Sequence, residues 1–320
     1  MKDRFQREID YIRISVTDKC NFRCRYCMPE EGVETIPHSE VLSFEEIVRV
    51  VSVLSELGIK KVKITGGEPL VRRDICTLIQ KIAKISGMED ITLTTNGFLL
   101  GEMAEQLKRA GIRTINVSVD TLNRREFADI CRRDGLDQVL DSIERAKNLG
   151  LEIRINTTVS EESNLKELFE LLEYFVNRDI PVRFIELMPI GCGHGSRVKN
   201  QDLQKMLKKR YPDFVRSNFS GNGPAIYYTF GKNKKVGFIS AVHNKFCESC
   251  NRIRLSCDGK IKPCLASSLS YDIKAVLRSG GDDKKLKESL EQAIFYKPLE
   301  HHFGKEQSGC IKNTMNQIGG

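Results

Sequence analysis

Up to about residue 190, short runs of alternating apolar and polar residues take turns with longer stretches whose apolar residues recur three or four apart. The first pattern is that of a strand with one buried face, the second that of an amphipathic helix. Strands are expected at Tyr11–Val16, Lys61–Thr65, Ile91–Thr95, Thr114–Val119, Leu151–Val159 and Val182–Met188. Between them, helices are expected at Ser43–Leu57, Asp74–Ile85, Gly101–Ala110, Leu136–Asn148 and Asn164–Val176. The first helix has a start and stop signal: Ser43 as N-cap, Glu46 as its capping-box partner, and Gly58 at the end.

Six strand segments separated by helices imply a parallel sheet with crossover connections. Periodicity leaves two closures open, a doubly wound open sheet or a barrel with fewer strands than the eight-stranded one. In both, chemistry belongs at the carboxyl ends of the strands. The pattern then changes. Glycine-rich breaks occur at Gly191–Gly195 and Gly221–Pro224, and Ala225–Phe230 with Lys235–Ala241 reads as an antiparallel pair.

Composition narrows the chemistry. The chain has 320 residues, 29% of them charged, and no apolar run long enough to cross a bilayer. Its charged first residues lack the apolar core of a secretion signal, so a cytoplasmic protein is expected. The net charge of +8 fits a basic surface or a polyanionic ligand, and no tract of consecutive basic residues argues for nucleic acid. Of 11 cysteines, seven lie in two groups, Cys20 to Cys27 and Cys247 to Cys264, which in a long chain of this kind points to metal.

The first group, Cys20-x3-Cys24-x2-Cys27, directly follows the first strand. Three thiolates on one loop can hold three irons of a cubane and leave the fourth open to another donor. A zinc site completed by a distant ligand such as His38 is the alternative. Gly66-Gly67-Glu68-Pro69 ends the second strand; its glycines permit close backbone approach, and Glu68 can accept from an ammonium. The second group, Cys247-x2-Cys250-x13-Cys264, again offers three thiolates, with Cys257 between them and zinc again as the alternative. Arg252 and Arg254 fall on one face of the intervening strand, where two guanidiniums suit an anion such as phosphate.

The first cysteine group has the spacing of the radical S-adenosylmethionine (SAM) superfamily. The stretches Thr17–Pro29, Thr65–Arg72, Arg183–Pro189 and Phe246–Leu255, with the terminal Ile318-Gly319-Gly320, together resemble the GTP 3′,8-cyclases of the molybdenum cofactor biosynthesis protein A family. The resemblance covers essentially the whole chain. It implies an incomplete (β/α)6 TIM-like barrel over residues 1–195 and a C-terminal iron–sulfur and GTP-binding domain with short antiparallel strands over 196–320. It implies two [4Fe–4S] clusters, on Cys20, Cys24 and Cys27 and on Cys247, Cys250 and Cys264, the first with SAM and the second with GTP. Tyr26, Gly67, Ser118 and Met188 match SAM-contacting positions; Arg13, Lys63, Thr94, Arg154, Arg252 and Arg254 match GTP-contacting ones.

Lys63 stands where the family usually has arginine, and Arg154 where it has lysine; both keep the charge. The implied reaction is a lyase reaction: hydrogen abstraction from the ribose 3′ carbon, which then attacks guanine C8 to give (8S)-3′,8-cyclo-7,8-dihydroguanosine 5′-triphosphate. The implied partners are an electron donor such as flavodoxin or ferredoxin, a downstream cyclic pyranopterin monophosphate synthase, and a second copy in a homodimer, with no membrane or nucleic acid. The Gly-Gly tail would reach into the active site. Competing readings are a radical SAM peptide-modifying enzyme, a non-catalytic iron–sulfur electron carrier and a nucleic-acid-modifying enzyme. Cys76, Cys131 and Cys310 read as buried or incidental thiols, Cys192 as a remote candidate ligand, and His243, His301 and His302 as surface or structural.

Overall fold

The structure, a computed structural model, describes residues 1–160, 163, 165–193, 198–219, 221–301, 303 and 315. The first part of the chain runs β1 (Tyr11–Ser15), α1 (Phe44–Glu56), β2 (Lys61–Thr65), α2 (Ile75–Ala83), β3 (Asp90–Thr95), α3 (Leu100–Ala110), β4 (Thr114–Ser118), α4 (Arg124–Cys131), α5 (Leu136–Asn148), β5 (Glu152–Val159), α6 (Leu165–Val176) and β6 (Val182–Glu186). The remainder runs α7 (Asn200–Arg210), β7 (Val215–Arg216), β8 (Ile226–Phe230), β9 (Lys234–Ile239), β10 (Arg252–Leu255), β11 (Lys260–Lys262), β12 (Tyr271–Asp272), α8 (Ile273–Arg278) and α9 (Asp283–Phe295).

The expected capping box at the start of α1 is present: Ser43 Oγ accepts from the Glu46 N–H, and the Glu46 carboxylate accepts from the Ser43 N–H. Such a cap is worth about 1 kcal/mol.

All strands join one 12-stranded sheet in the order β12-β11-β10-β1-β2-β3-β4-β5-β6-β9-β8-β7. From β10 through β9 every neighbouring pair is parallel. The expected hairpin is present as antiparallel β8 and β9, but β9 also pairs in parallel with β6. Likewise β10 pairs in parallel with β1, Arg254 lying opposite Arg13. The C-terminal segment therefore extends both edges of the six-stranded N-terminal sheet, covering backbone that would otherwise be left unpaired.

The sheet is rolled. In a flat sheet β1 and β6, five positions apart, would lie about 24 Å from each other. Yet Arg183 of β6 acts electrostatically on Tyr11 and Arg13 of β1, and residues of both β9 and β10 line one cavity. This is the incomplete barrel of the two closures, unclosed between β9 and β10.

Strand alternation decides what faces that cavity. Ile12, Ile14, Val62, Ile64, Ile91, Leu93, Ile115, Val117, Ile153 and Ile155 belong to one hydrophobic core with the helices. Each such side chain contributes about 1.5–3 kcal/mol when fully buried. The polar partners of the alternation point the other way, so the barrel lumen is lined with arginine, lysine, threonine and asparagine. Among the described residues no helix is long and apolar enough to cross a membrane.

Candidate active site

A single cavity of about 340 Å³ occupies the lumen and collects both cysteine groups. Every sequence-derived site residue lines it except Arg154.

At one end the loop after β1 carries Cys20, Cys24 and Cys27. It is laced to the loop after β2: the Gly67 N–H donates to Thr17 O at 2.6 Å, and the Glu68 N–H to Lys19 O at 2.8 Å. This explains the paired glycines. A Cβ on Gly66 would meet Thr17 O at 2.7 Å, and one on Gly67 would meet Asp18 O at 2.7 Å. The close approach is between two protein loops as well as toward a ligand.

Glu68, which lines the cavity, also has partners within the protein. Its carboxylate already accepts from Leu70 N–H (3.0 Å), Thr95 Oγ1 (2.7 Å) and Asn96 N–H (2.7 Å). It fastens the ends of β2 and β3 together. Burial nevertheless pushes it up to about 7, against the lowering effect of these donors. The end of α4 holds the cysteine loop from its other side, with Arg23 N–H and Arg25 N–H both donating at 2.9 Å to the carbonyls of Cys131 and Ile130. Phe22 packs edge-on against Phe98 and Phe127. Tyr26 donates to Asp120 at 2.7 Å, which fixes its ring at the cavity wall.

Two of these thiols, Cys20 and Cys24, are hard to ionise in the absence of metal. Burial, reinforced by Glu68, pushes Cys20 up to about 12. A hydrogen bond with Cys131, together with burial, raises Cys24. Cys131 is buried, one of the two readings its sequence offered, and it is in contact with a member of the first triad.

At the other end, Cys247 opens a short turn, Cys250 closes it, and Cys264 follows β11. Arg7, paired with Asp3 at 2.6 Å, donates to Cys247 O at 2.8 Å and so holds this turn from the first residues of the chain. Burial raises Cys250, but Arg252 and Lys297 outweigh it and bring the thiol down to about 7. The Arg252 guanidinium lies 3.8 Å from the Cys250 sulfur and over the Phe246 ring at 4.9 Å.

Between the two triads stands a cationic wall of Arg13, Lys63, Arg183, Arg252 and Arg254. Burial, then the neighbouring guanidiniums of Arg183 and Arg13, holds Lys63 well below the usual amine range. Burial and the charges of Arg13 and Arg252 lower Arg254 in the same way. So many desolvated like charges disfavour one another unless a polyanion joins them. Arg154 stands outside the lining. Its guanidinium lies 3.4 Å from Glu152 and is occupied near Phe219, yet its charge still acts on Lys63 and Arg183.

Arg183 itself is a site residue that motif reading passed over. It donates to Asn116, and its Nε is buried without a partner. Its register opposite Asn156, an inward position, is the signal that could have found it. Thr94 and Asn156 also line the cavity, and Thr94 Oγ1 and Asn156 Oδ1 are buried without hydrogen-bond partners.

The donor sets fit clusters. Each triad has three thiols on the cavity, and the first is built on a loop whose close packing tolerates only glycine opposite it. His38 does not line the cavity, and neither do Cys192 or Cys257. Cys257 is fully buried, near Ser15 and Asp18. Gly319-Gly320, Lys312, Cys310, His194 and His302 lie outside the described residues.

Comparison with known proteins places this geometry. Residues 14–175 match the family model of the radical SAM superfamily, and residues 180–303 that of Molybdenum Cofactor Synthesis C. The chain is 42% identical over 327 residues to the GTP 3′,8-cyclase of Desulforamulus reducens, with 100% of both chains covered. It is 42% identical over 323 residues to that of Clostridium perfringens and 40% identical over 326 to that of Thermodesulfovibrio yellowstonii, again with 100% of each covered. Among solved structures, Streptococcus suis SuiB bound to S-adenosylmethionine has a TM-score of 0.63 at 16% identity, covering 91% of this chain and 67% of that one. Native anSMEcpe with bound AdoMet has a TM-score of 0.61 at 18% identity, covering 92% and 82%. These two share the fold.

Proposed function

This chain belongs to the radical SAM superfamily and, within it, to the GTP 3′,8-cyclase family, and from that membership and the two-ended cavity we infer that it cyclises GTP to (8S)-3′,8-cyclo-7,8-dihydroguanosine 5′-triphosphate. That is the first step of molybdenum cofactor biosynthesis. The observation that carries the reading is the cationic wall standing between two cysteine triads in one lumen.

In this reading Cys20, Cys24 and Cys27 hold one [4Fe–4S] cluster and Cys247, Cys250 and Cys264 the other. When bound, the first supplies the electron that cleaves SAM to the 5′-deoxyadenosyl radical. Tyr26, Gly67, Ser118 and Met188 line the end where SAM lies, and the Tyr26–Asp120 bond keeps the ring from filling that space. Arg13, Lys63, Arg183, Arg252 and Arg254 receive the triphosphate, with Arg154 adding charge from its margin. Thr94 and Asn156, which line the cavity beside this wall, stand on the ribose side. The enclosing strands keep bulk water from the radical, which would otherwise be lost to side reactions. The division at about residue 195, a cytoplasmic setting, a flavodoxin- or ferredoxin-like donor, a downstream pyranopterin synthase and a homodimer complete the reading.

The test is anaerobic reconstitution with iron and sulfide, then SAM and reductant with and without GTP. GTP-dependent 5′-deoxyadenosine together with a new nucleotide of GTP's mass is expected. SAM cleavage indifferent to GTP would keep the superfamily and reject this substrate.

A further inference from the structure

Lys297 is 2% exposed, a burial that lysine rarely accepts. Its Nζ donates to Arg252 O at 2.8 Å and to Pro263 O at 2.6 Å, and its charge acts on Cys250. Two of the three ammonium hydrogens are thereby used. Two partners are neutral carbonyls, and among the described residues no carboxylate is paired with it. A buried ammonium is costly unless it meets an anion. The groups here able to supply that charge are the sulfurs of the C-terminal triad when they serve as ligands.

The positions of the two carbonyls matter as much as the charge. Arg252 follows Cys250 by two residues, and Pro263 directly precedes Cys264. One side chain therefore bridges the backbone beside two members of the triad. The segment carrying it is itself anchored: Arg7 donates to Pro298 O at 2.7 Å and to Leu299 O at 2.8 Å.

We propose that Lys297 is a positioning residue of the C-terminal cluster, which holds the Cys250 and Cys264 loops in register and sets a buried positive charge beside the cluster. Outer partners of this kind govern how tightly ligands hold metal, and local charge helps set reduction potentials. A cation beside the cluster favours its reduced, more negative state. The inference rests on the C-terminal cluster of the proposed function.

The experiment compares parent, Lys297→Met and Lys297→Gln as full-length, anaerobically reconstituted protein. It measures iron and sulfide per chain, iron release to a chelator, and an electron paramagnetic resonance redox titration in which the GTP-responsive signal reports the C-terminal cluster. Lys297→Met should release iron from that cluster roughly tenfold or more faster. Lys297→Gln keeps a donor and drops the charge. Its reduced fraction at a fixed potential should fall about tenfold, which is a downward shift of about 59 mV for one electron. The SAM-responsive signal should be unchanged in both. Parent-like release and potential in both variants would overturn the inference and leave the function standing. A parent protein that binds iron for one cluster only would overturn the C-terminal cluster and this inference with it. If Lys297→Met does not fold, Lys297→Gln carries the same two readings.

Discussion

The two cysteine triads have the same number of thiols and opposite surroundings. The N-terminal loop lies among apolar rings and carboxyl groups: Phe22 on one side, and Glu68 and Asp120 near the sulfurs. Cys24 is pushed up, and Cys20 to about 12. The C-terminal turn lies against Arg252 and Lys297, and Cys250 comes down to about 7. Identical ligands are thus prepared for different work. Metal must displace firmly held protons from Cys20 and Cys24 at the first site, whereas Cys250 of the second is already poised to carry negative charge beside a wall built for an anion. Ligand count alone cannot separate a SAM-facing site from a nucleotide-facing one; the charges around the ligands can.

The largest effect should come from Cys24→Ser, which should abolish 5′-deoxyadenosine formation altogether; retained SAM cleavage would break the assignment of the N-terminal triad. Cys250→Ser should spare some SAM cleavage and eliminate the cyclised nucleotide, and normal product would collapse the distinction between the two ends.

Thiol labelling of cluster-free protein sharpens the comparison directly. Near pH 7 about half of Cys250 is thiolate, against about one part in 10⁵ of Cys20, a gap that intrinsic nucleophilicity narrows to a rate ratio of roughly several hundredfold. Because the Cys250 value is depressed, its labelling should rise through pH 7 and level off above it, while that of Cys20 climbs only in strong alkali. Equal rates at neutral pH would remove the electrostatic contrast.

Arg254→Ala withdraws one guanidinium from the wall. It should cost about 1.5–3 kcal/mol, or roughly tenfold to a hundredfold in kcat/KM for GTP, with GTP-independent SAM cleavage as the control. The smallest effect is expected of Tyr26→Phe, which keeps the ring and loses the bond to Asp120. About 0.5–1.5 kcal/mol, seen as a severalfold rise in the KM for SAM, is the expected size.

Much of this was legible because local rules and global fold agree. The β/α alternation, the Ser43–Glu46 cap and the β8–β9 hairpin all follow from spacing, and Arg252 and Arg254 share a face because strands alternate. Elements lacking such a signal were passed over. In α4 only Phe127 and Cys131 are buried, so no apolar stripe marks it, and α7 to α9 lie past the glycine-rich breaks. The parallel joining of β10 to β1 depends on a partner found across the length of the chain, which periodicity cannot encode. Arg183 was missed because one arginine in an apolar strand is conspicuous only once the register turns it inward. Lys297 and Arg7 belong to no motif, and their importance comes from carbonyls contributed by distant segments.

The pairing of β1 with β10 also bears on how the molecule comes into being. Asn251 bonds Asp10 across 241 residues. At roughly 5–20 residues per second, a ribosome needs about 12–50 s to deliver that partner. Throughout that interval the nascent sheet carries an open edge at β1, the state in which chains recruit wrong neighbours. The loading of iron has a timetable as well: the first triad emerges early onto an unfinished barrel, and the second emerges with the very strand that closes its edge.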